Sequence, residues 1–446
     1  MKNVDVLVVG GSAAGISAAH TARTHYPDAT VALVRQEAKV PVPCGIPYVF
    51  GTLSSPDDNL IPDAAVTGKG VELILDRVTA LDREAHTVTT AGGQTVGYKK
   101  LVLATGSQPV VPPIPGRELK NVFTVEKDVE YLHDLTDKMD EAHKVVIIGG
   151  GFIGMEMADE CRKRENLEIT VVELLPHCLF LAFDQDLCER AEQALKDAGV
   201  QVRTNAKAEE IVGDGQVEGV RLDSGEVLEA DMVLFGIGTR PNSELARDAG
   251  LELGRFSAVA VDRYMHTSDP DIFAVGDCAE KFSFFTGEPT ALRLASVATA
   301  EARIAGANLF ELRRENPGTI GVFSTRINGL SMGIAGMGQK AASDVGFDYV
   351  IGQAEAVDKH PGGMPGAQRL RLKLVFHRYS GVLMGGQACC GETTGEVINL
   401  IAALIQARMH ADQIATFQMG THPALTASPI AYQLVNAAEQ ALLNMH

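Results

Sequence analysis

Val4-Asp5-Val6-Leu7-Val8-Val9-Gly10-Gly11-Ser12-Ala13-Ala14-Gly15 decides the fold of this chain. A valine-rich apolar run ends on a glycine-rich turn, and an alanine-rich stretch with helical character continues to about His25. A second strand is expected over 30–34, which completes a strand–helix–strand unit with short connections. In such a unit the turn turns its backbone N–H groups and the positive helix end outward, an arrangement suited to a pyrophosphate.

The pattern returns in Lys144-Val145-Val146-Ile147-Ile148 followed by Gly149-Gly150-Gly151-Phe152-Ile153-Gly154, with a helix expected to about Arg164 and a strand over 168–172. One glycine-rich loop is weak evidence. Two in the same strand-to-helix context predict two nucleotide-binding units. Ser12 takes the place of the middle glycine in the first loop. At the end of the second unit's second strand stands Glu173, where an acid accepts hydrogen bonds from an adenosine ribose 2′-OH. A 2′-phosphate would be repelled there, and Leu174-Leu175-Pro176 supplies no cation, so the reading is NADH over NADPH. In the first unit the equivalent residue is Arg35, with Glu37 just beyond. Either Glu37 reaches the ribose or the adenosine is held differently.

The rest of the 446-residue chain bounds what these units serve. Composition is that of a globular protein, 46% hydrophobic and 22% charged, and 45 glycines fit many tight turns. A net charge of −18 argues against a nucleic-acid partner, which needs clustered Lys and Arg. No apolar run reaches the ~18 residues of a membrane span. Seven irregularly spaced cysteines do not make a disulfide framework, and a reducing, cytoplasmic setting is expected.

Pro109-Val110-Val111-Pro112-Pro113-Ile114-Pro115-Gly116 reads as a stiff link between domains, and a second crossing is expected over 238–242. From about Gly321 the texture changes to glycine-punctuated strands, over 369–376 and 382–386, then helices over 396–407 and from about Ile430. The expected fold class is α/β. Residues 1–115 and 246–320 form one Rossmann-like domain, 116–245 a second, and 321–446 a C-terminal α/β domain for dimerisation.

Three further segments complete a pattern: Leu101-Val102-Leu103-Ala104-Thr105-Gly106-Ser107, Gly236-Ile237-Gly238-Thr239-Arg240-Pro241-Asn242, and Thr267-Ser268-Asp269-Pro270-Asp271-Ile272-Phe273-Ala274-Val275-Gly276-Asp277. In order and spacing the whole chain resembles the pyridine nucleotide–disulfide oxidoreductases. The resemblance implies FAD at Gly10, Ser12, Ala13, Ala14, Gly15, Arg35, Glu37, Thr105 and Gly106, with Asp277 on the ribitol chain. It implies NADH at Gly149, Gly151, Ile153, Gly154, Glu173 and Gly238. Phe152 resembles the aromatic that covers the flavin face, and Glu156 the residue beside the nicotinamide; a core phenylalanine and a solvated helix glutamate are the plainer alternatives.

Disulfide reductases of this family commonly carry a close cysteine pair on the helix after the first loop, and this chain has none. It has Val42-Pro43-Cys44-Gly45-Ile46-Pro47-Tyr48, which resembles the single-cysteine subgroup: coenzyme A-disulfide reductases, NADH oxidases and peroxidases, and persulfide or polysulfide reductases. One thiolate suffices for such chemistry, because it attacks an S–S bond to form a mixed disulfide, or peroxide to form a sulfenic acid. Gly45 and Pro47 suggest an exposed turn entering a helix. Thr421-His422-Pro423 loosely resembles the family's C-terminal His-Pro segment, which makes His422 a candidate acid–base from the other subunit of a homodimer and Tyr432 a candidate for orienting substrate. Met364 stands where a coenzyme A-disulfide reductase is expected to have a tyrosine. Cys161, Cys178, Cys188 and Cys278 read as packing residues; the vicinal pair Cys389-Cys390 could relay thiols or bind metal, but it has too few ligands for a structural zinc site, and the packing reading is preferred.

The expected function is hydride transfer from NADH through FAD to Cys44, which reduces a low-molecular-weight disulfide, persulfide or polysulfide, with coenzyme A as substrate or bound thiol. The alternatives are an oxidase or peroxidase that uses O2 or peroxide through a Cys44 sulfenic acid, and a flavin electron-transfer or redox-sensor protein without thiol chemistry.

Overall fold

The computed structural model describes residues 1–165 and 167–445. Its chain divides into two compact units, Met1–Pro113 with Asn121–Ala142 and Ile237–Thr319, and Ile114–Lys120 with His143–Gly236 and Ile320–His446.

In the first unit, Glu72–Leu75, Val31–Arg35, Lys2–Val9, Thr95–Leu103 and Ile272–Ala274 lie side by side and parallel. Val6, Leu7 and Val8 expose nothing, because a parallel strand is covered on both faces. Helix Ala13–His25 begins immediately after the first loop and buries Ala18, Ala19 and Ala22. Helix Ala295–Asn308 crosses it at close range: a Cβ on Gly306 would stand 2.7 Å from the Ala18 carbonyl oxygen. The alanine-rich composition is thus what lets the two helices touch backbone to backbone. The second strand runs one residue later than expected and includes Arg35, which packing draws into the sheet.

In the second unit, Met232–Phe235, Lys144–Ile148, Glu168–Val172 and Gln201–Arg203 form the parallel core of the other Rossmann-like sheet. Helix Phe152–Cys161 ends short of the expected Arg164. The same unit holds a five-stranded antiparallel sheet in the order Val322–Ile327, Leu330–Gly336, Leu383–Cys389, Arg369–His377, Tyr349–Val357. Helices Thr394–Gln406 and Gln433–Met445 pack against it, the latter so closely that a Cβ on Gly352 would overlap the Ala437 carbonyl. The strand expected to end at Gly386 runs on to Cys389, and the last helix starts at Gln433 because Pro429–Ala431 forms a separate 3-10 turn. Among the described residues no helix is long and apolar enough to cross a membrane.

Candidate functional site

The first loop is shaped by what a side chain would meet. Gly10 holds φ +121°, and a Cβ there would fall on the Ala104 carbonyl, while one on Gly15 would fall on the Gly10 carbonyl. Ser12 caps helix Ala13–His25 through its backbone, without a side-chain cap bond. The N–H groups of Ala13, Ala14 and Gly15 have no acceptor within the helix and form an anion-binding end. Gly276, at φ +74°, comes against the same loop, where its Cβ would stand 2.9 Å from that of Ala14.

Around this cradle the structure adds polar groups from distant parts of the chain. The Asp277 carboxylate accepts a 2.6 Å hydrogen bond from Ser107 Oγ, and Lys127 Nζ lies 3.1 Å from that Oγ and 3.7 Å from the carboxylate. Thr105 Oγ1 donates to the Asn242 carbonyl at 2.5 Å, and Asn242 Nδ2 returns a bond to the Thr105 carbonyl at 3.0 Å. The Gly106 carbonyl accepts from Asn242 N–H. Beneath Gly276, Lys281 and Glu301 form a buried ion pair at 3.3 Å. Lys281 Nζ donates to the carbonyls of Gly276 and Ala279, and Glu301 accepts from Gly276 N–H at 2.8 Å. Burial pushes the Glu301 carboxyl up to about 7. None of Lys127, Lys281 and Glu301 is marked by a local motif, and Ser107 is marked only as the last residue of one.

Arg35 settles below the loop. Its aliphatic stem occupies the space a Cβ on Gly11 would need, and its guanidinium donates to the carbonyls of Glu37 at 2.9 Å and Ala38 at 3.2 Å and pairs with Asp63. Its Nη1 is buried without a protein partner. Arg35 therefore orders the turn that carries Glu37, whose carboxylate accepts from the Gln36 amide at 3.0 Å. A glycine cradle, outward N–H groups and an orphaned buried donor fit a dinucleotide pyrophosphate.

Cys44 is exposed on a 3-10 turn, Pro43–Gly45, followed by a second one, Pro47–Phe50. The helix expected after the cysteine is thus only these short turns. The turn is rigid: Val42 exchanges hydrogen bonds with Asn59, and a Cβ on Gly45 would overlap the Asn59 side chain.

In the second unit Gly149 holds φ +112°, and a Cβ on Gly154 would fall on its carbonyl, the same device as in the first loop. Glu173 accepts from Gly150 N–H at 2.6 Å and Leu175 N–H at 2.7 Å, one bond per oxygen. Each oxygen retains a lone pair for a further donor. Gly151 is the N-cap of helix Phe152–Cys161, and Ile153 lies in its first turn. Phe152 stacks on Phe323 at 5.0 Å and tilts against Phe183 at 5.9 Å. Glu156 is half-buried rather than solvated; Thr325 Oγ1 donates to it at 2.8 Å, and burial, with Glu160 and Asp159 adding, pushes its carboxyl up to about 7. Gly238 belongs to the first unit, where its carbonyl accepts from Val110 N–H at 3.0 Å.

His422 is exposed, and its Nδ1 accepts from Ala424 N–H at 3.2 Å, which leaves Nε2 to carry the ring proton. The loop containing Met364 is tied to this segment by His360, through its N–H to the Pro423 carbonyl and its ring to the Thr426 carbonyl. Tyr432 is half-buried, and burial raises its phenol pKa. Cys161, Cys178, Cys188 and Cys278 are buried and their thiols pushed up by that burial, as packing residues are.

Comparison with known proteins places the fold in a family. Residues 4–302 match the pyridine nucleotide-disulphide oxidoreductase family, and residues 322–430 match its dimerisation domain. An NADH oxidase of Methanocaldococcus jannaschii is 32% identical over 98% of both chains. An NAD(P)H coenzyme A polysulfide/persulfide reductase of Pyrococcus horikoshii is 31% identical over 90% of this chain and 91% of that one. The solved NAD-dependent persulfide reductase from A. fulgidus superposes with a TM-score of 0.91 at 31% identity, over 99% of this chain and 83% of that one.

Proposed function

The chain belongs to the pyridine nucleotide-disulphide oxidoreductase family as an NAD(P)H-dependent flavin enzyme, and on that footing we propose that its electrons leave through Cys44 into a low-molecular-weight disulfide, persulfide or polysulfide. One observation carries the reading: Cys44 is exposed on a rigid turn of the unit that holds the first glycine loop. The sulfur-reducing names of similar proteins support it.

Gly10, Ser12, Ala13, Ala14 and Gly15 hold the FAD pyrophosphate on outward N–H groups, with Arg35 ordering the Glu37 turn and Asp277, Thr105 and Gly106 beside them. Bound there, FAD supplies a two-electron relay between nicotinamide and sulfur. Gly149, Gly151, Ile153 and Gly154 bind NADH, and Glu173 keeps its spare lone pairs for the ribose hydroxyls. The Cys44 thiolate attacks one sulfur of the substrate, forms a mixed disulfide and releases the first thiolate. Two electrons then reopen that bond, which regenerates Cys44 and frees the second thiol. His422 Nε2, from the partner in a homodimer, delivers the proton the leaving thiolate takes, and Tyr432, held protonated by burial, donates a hydrogen bond. Met364 in place of the expected tyrosine weakens the case for coenzyme A itself as the substrate.

The test is anaerobic reduction by NADH with electrons counted per flavin, followed by mass spectrometry of Cys44. A thiol or persulfide adduct on Cys44 is expected, and Cys44→Ser should accept electrons from NADH yet lose turnover with every disulfide and polysulfide. Full turnover in that variant sinks the proposal. The oxidase reading has the M. jannaschii name in its favour; sulfenic acid on Cys44, with oxygen consumed and no thiol released, would select it.

A further inference from the structure

The strand Leu383–Cys389 ends deep in the C-terminal sheet, between Met332 and Arg371 on its two neighbours. Cys389 is buried at its end, and the next residue, Cys390, is half-exposed. Adjacent side chains on a strand point to opposite faces. These do not: Cys390 holds φ +82°, a left-handed conformation that a cysteine adopts only when its surroundings impose it, and its N–H is anchored on the Ser331 carbonyl at 2.8 Å. The outcome is that the two Sγ atoms lie 2.9 Å apart. Packing alone does not call for a strained backbone that turns two neighbouring thiols on one another.

We propose that Cys389 and Cys390 are a second dithiol–disulfide centre, which exchanges with low-molecular-weight disulfides independently of Cys44. The half-exposed Cys390 is the attacking group and the buried Cys389 the resolving one. The Cys390 thiolate attacks a small disulfide, forms a mixed disulfide and expels one thiolate. Cys389 gives up its proton and attacks the Cys390 sulfur, closing the Cys389–Cys390 bond and expelling the second thiolate. Two protein thiols are oxidised by two electrons, one small disulfide is reduced to two thiols, and the two protons pass to the released sulfurs.

Charge favours that order of roles. The Cys389 thiol, helped by the guanidiniums of Arg190 and Arg371, holds the Cys390 thiol below its ordinary range against the opposing effects of burial and of the Glu355 carboxylate, and Cys389 is pushed up by Cys390 and by burial. Neighbouring Cα atoms are about 3.8 Å apart, closer than unstrained disulfides allow, so the closed form is readily reduced. That makes the pair a reversible switch, closed when small disulfides accumulate.

The experiment uses the FAD-loaded Cys44→Ser protein, so that its outcome is separate from the chemistry proposed for Cys44. Oxidised glutathione is added anaerobically, remaining thiols are alkylated, and intact and peptide masses are read. Two thiols should disappear with a mass decrease of two hydrogens located at 389–390, and dithiothreitol should restore both. A further Cys389→Ser change should trap Cys390 as a stable mixed disulfide, and Cys390→Ser should abolish the reaction. Phenylarsine oxide, which bridges two adjacent thiols, should bind once per chain to the Cys44→Ser protein and not after the Cys390→Ser change. Unchanged thiols, a lasting mixed disulfide in the parent protein, or failure to bind the arsenical overturns the proposal.

Discussion

Glu156→Gln should stabilise the protein above neutral pH and do nothing at low pH. The substitution preserves shape and leaves an amide oxygen to accept the 2.8 Å bond from Thr325, so only the ionisation is removed. Burial raises the carboxyl from 4.5 to about 7 in the folded protein. An acid with a raised folded pKa favours the native state fully below its unfolded value. That advantage is lost as pH rises through the folded one. Ionised Glu156 therefore weakens the fold progressively between about pH 4.5 and 7. At 1.36 kcal/mol per unit the full effect is about 3 kcal/mol, an upper bound for a half-buried group. The assay is urea unfolding of wild type and variant, monitored by far-ultraviolet circular dichroism across pH 5 to 8. The gap between their midpoints should open with rising pH in favour of the variant. A gap that is constant with pH, or that grows towards acid, refutes the assignment of a desolvated carboxyl at this position.

Gly10→Ala should empty the flavin site, since the new methyl meets the Ala104 carbonyl and the φ of +121° is strained for alanine; the absorbance ratio of flavin to protein reports it, and full loading would contradict the cradle. Ser107→Ala removes a 2.6 Å bond to a carboxylate, worth roughly 1.5–3 kcal/mol. FAD titration of apoprotein should then show lowered affinity, because Asp277 loses the donor that holds it in place, and unchanged affinity would separate Asp277 from flavin binding. Glu173→Gln puts an amide N–H against one of the two backbone donors that the carboxylate now satisfies. KM for NADH should rise while the preference over NADPH narrows, and an unaltered ratio of kcat/KM values for the two would deny Glu173 its role in selection.

Both Rossmann-like units were legible because their determinants are contiguous. Strand, glycine turn and helix follow one another within a few residues, and Gly10 against Gly15 or Gly149 against Gly154 is a constraint between near neighbours. The exposed turn of Cys44 was legible for the same reason, from Pro43, Gly45 and Pro47. Arg35 was visible as a departure, but not its use: the stem under Gly11 and the grip on the turn after it depend on how deeply the sheet draws it in. For the vicinal thiols the letters leave a packing role and a thiol relay both open, since nothing in them announces a left-handed Cys390.

What the chain by itself determined, then, is the order of its parts: two glycine loops between strand and helix, one cysteine on a turn, and a C-terminal stretch of another texture. Only the tertiary structure decided the electrostatics. It set Lys127 and Ser107 against Asp277, buried Lys281 with Glu301 beneath Gly276, and closed Thr325 over Glu156. The partners in these contacts come from remote stretches of chain, and the worth of each depends on how much water packing removes around it. Local spacing records backbone geometry; it carries no record of desolvation, and desolvation is what pushes up the Glu156 and Glu301 carboxyls.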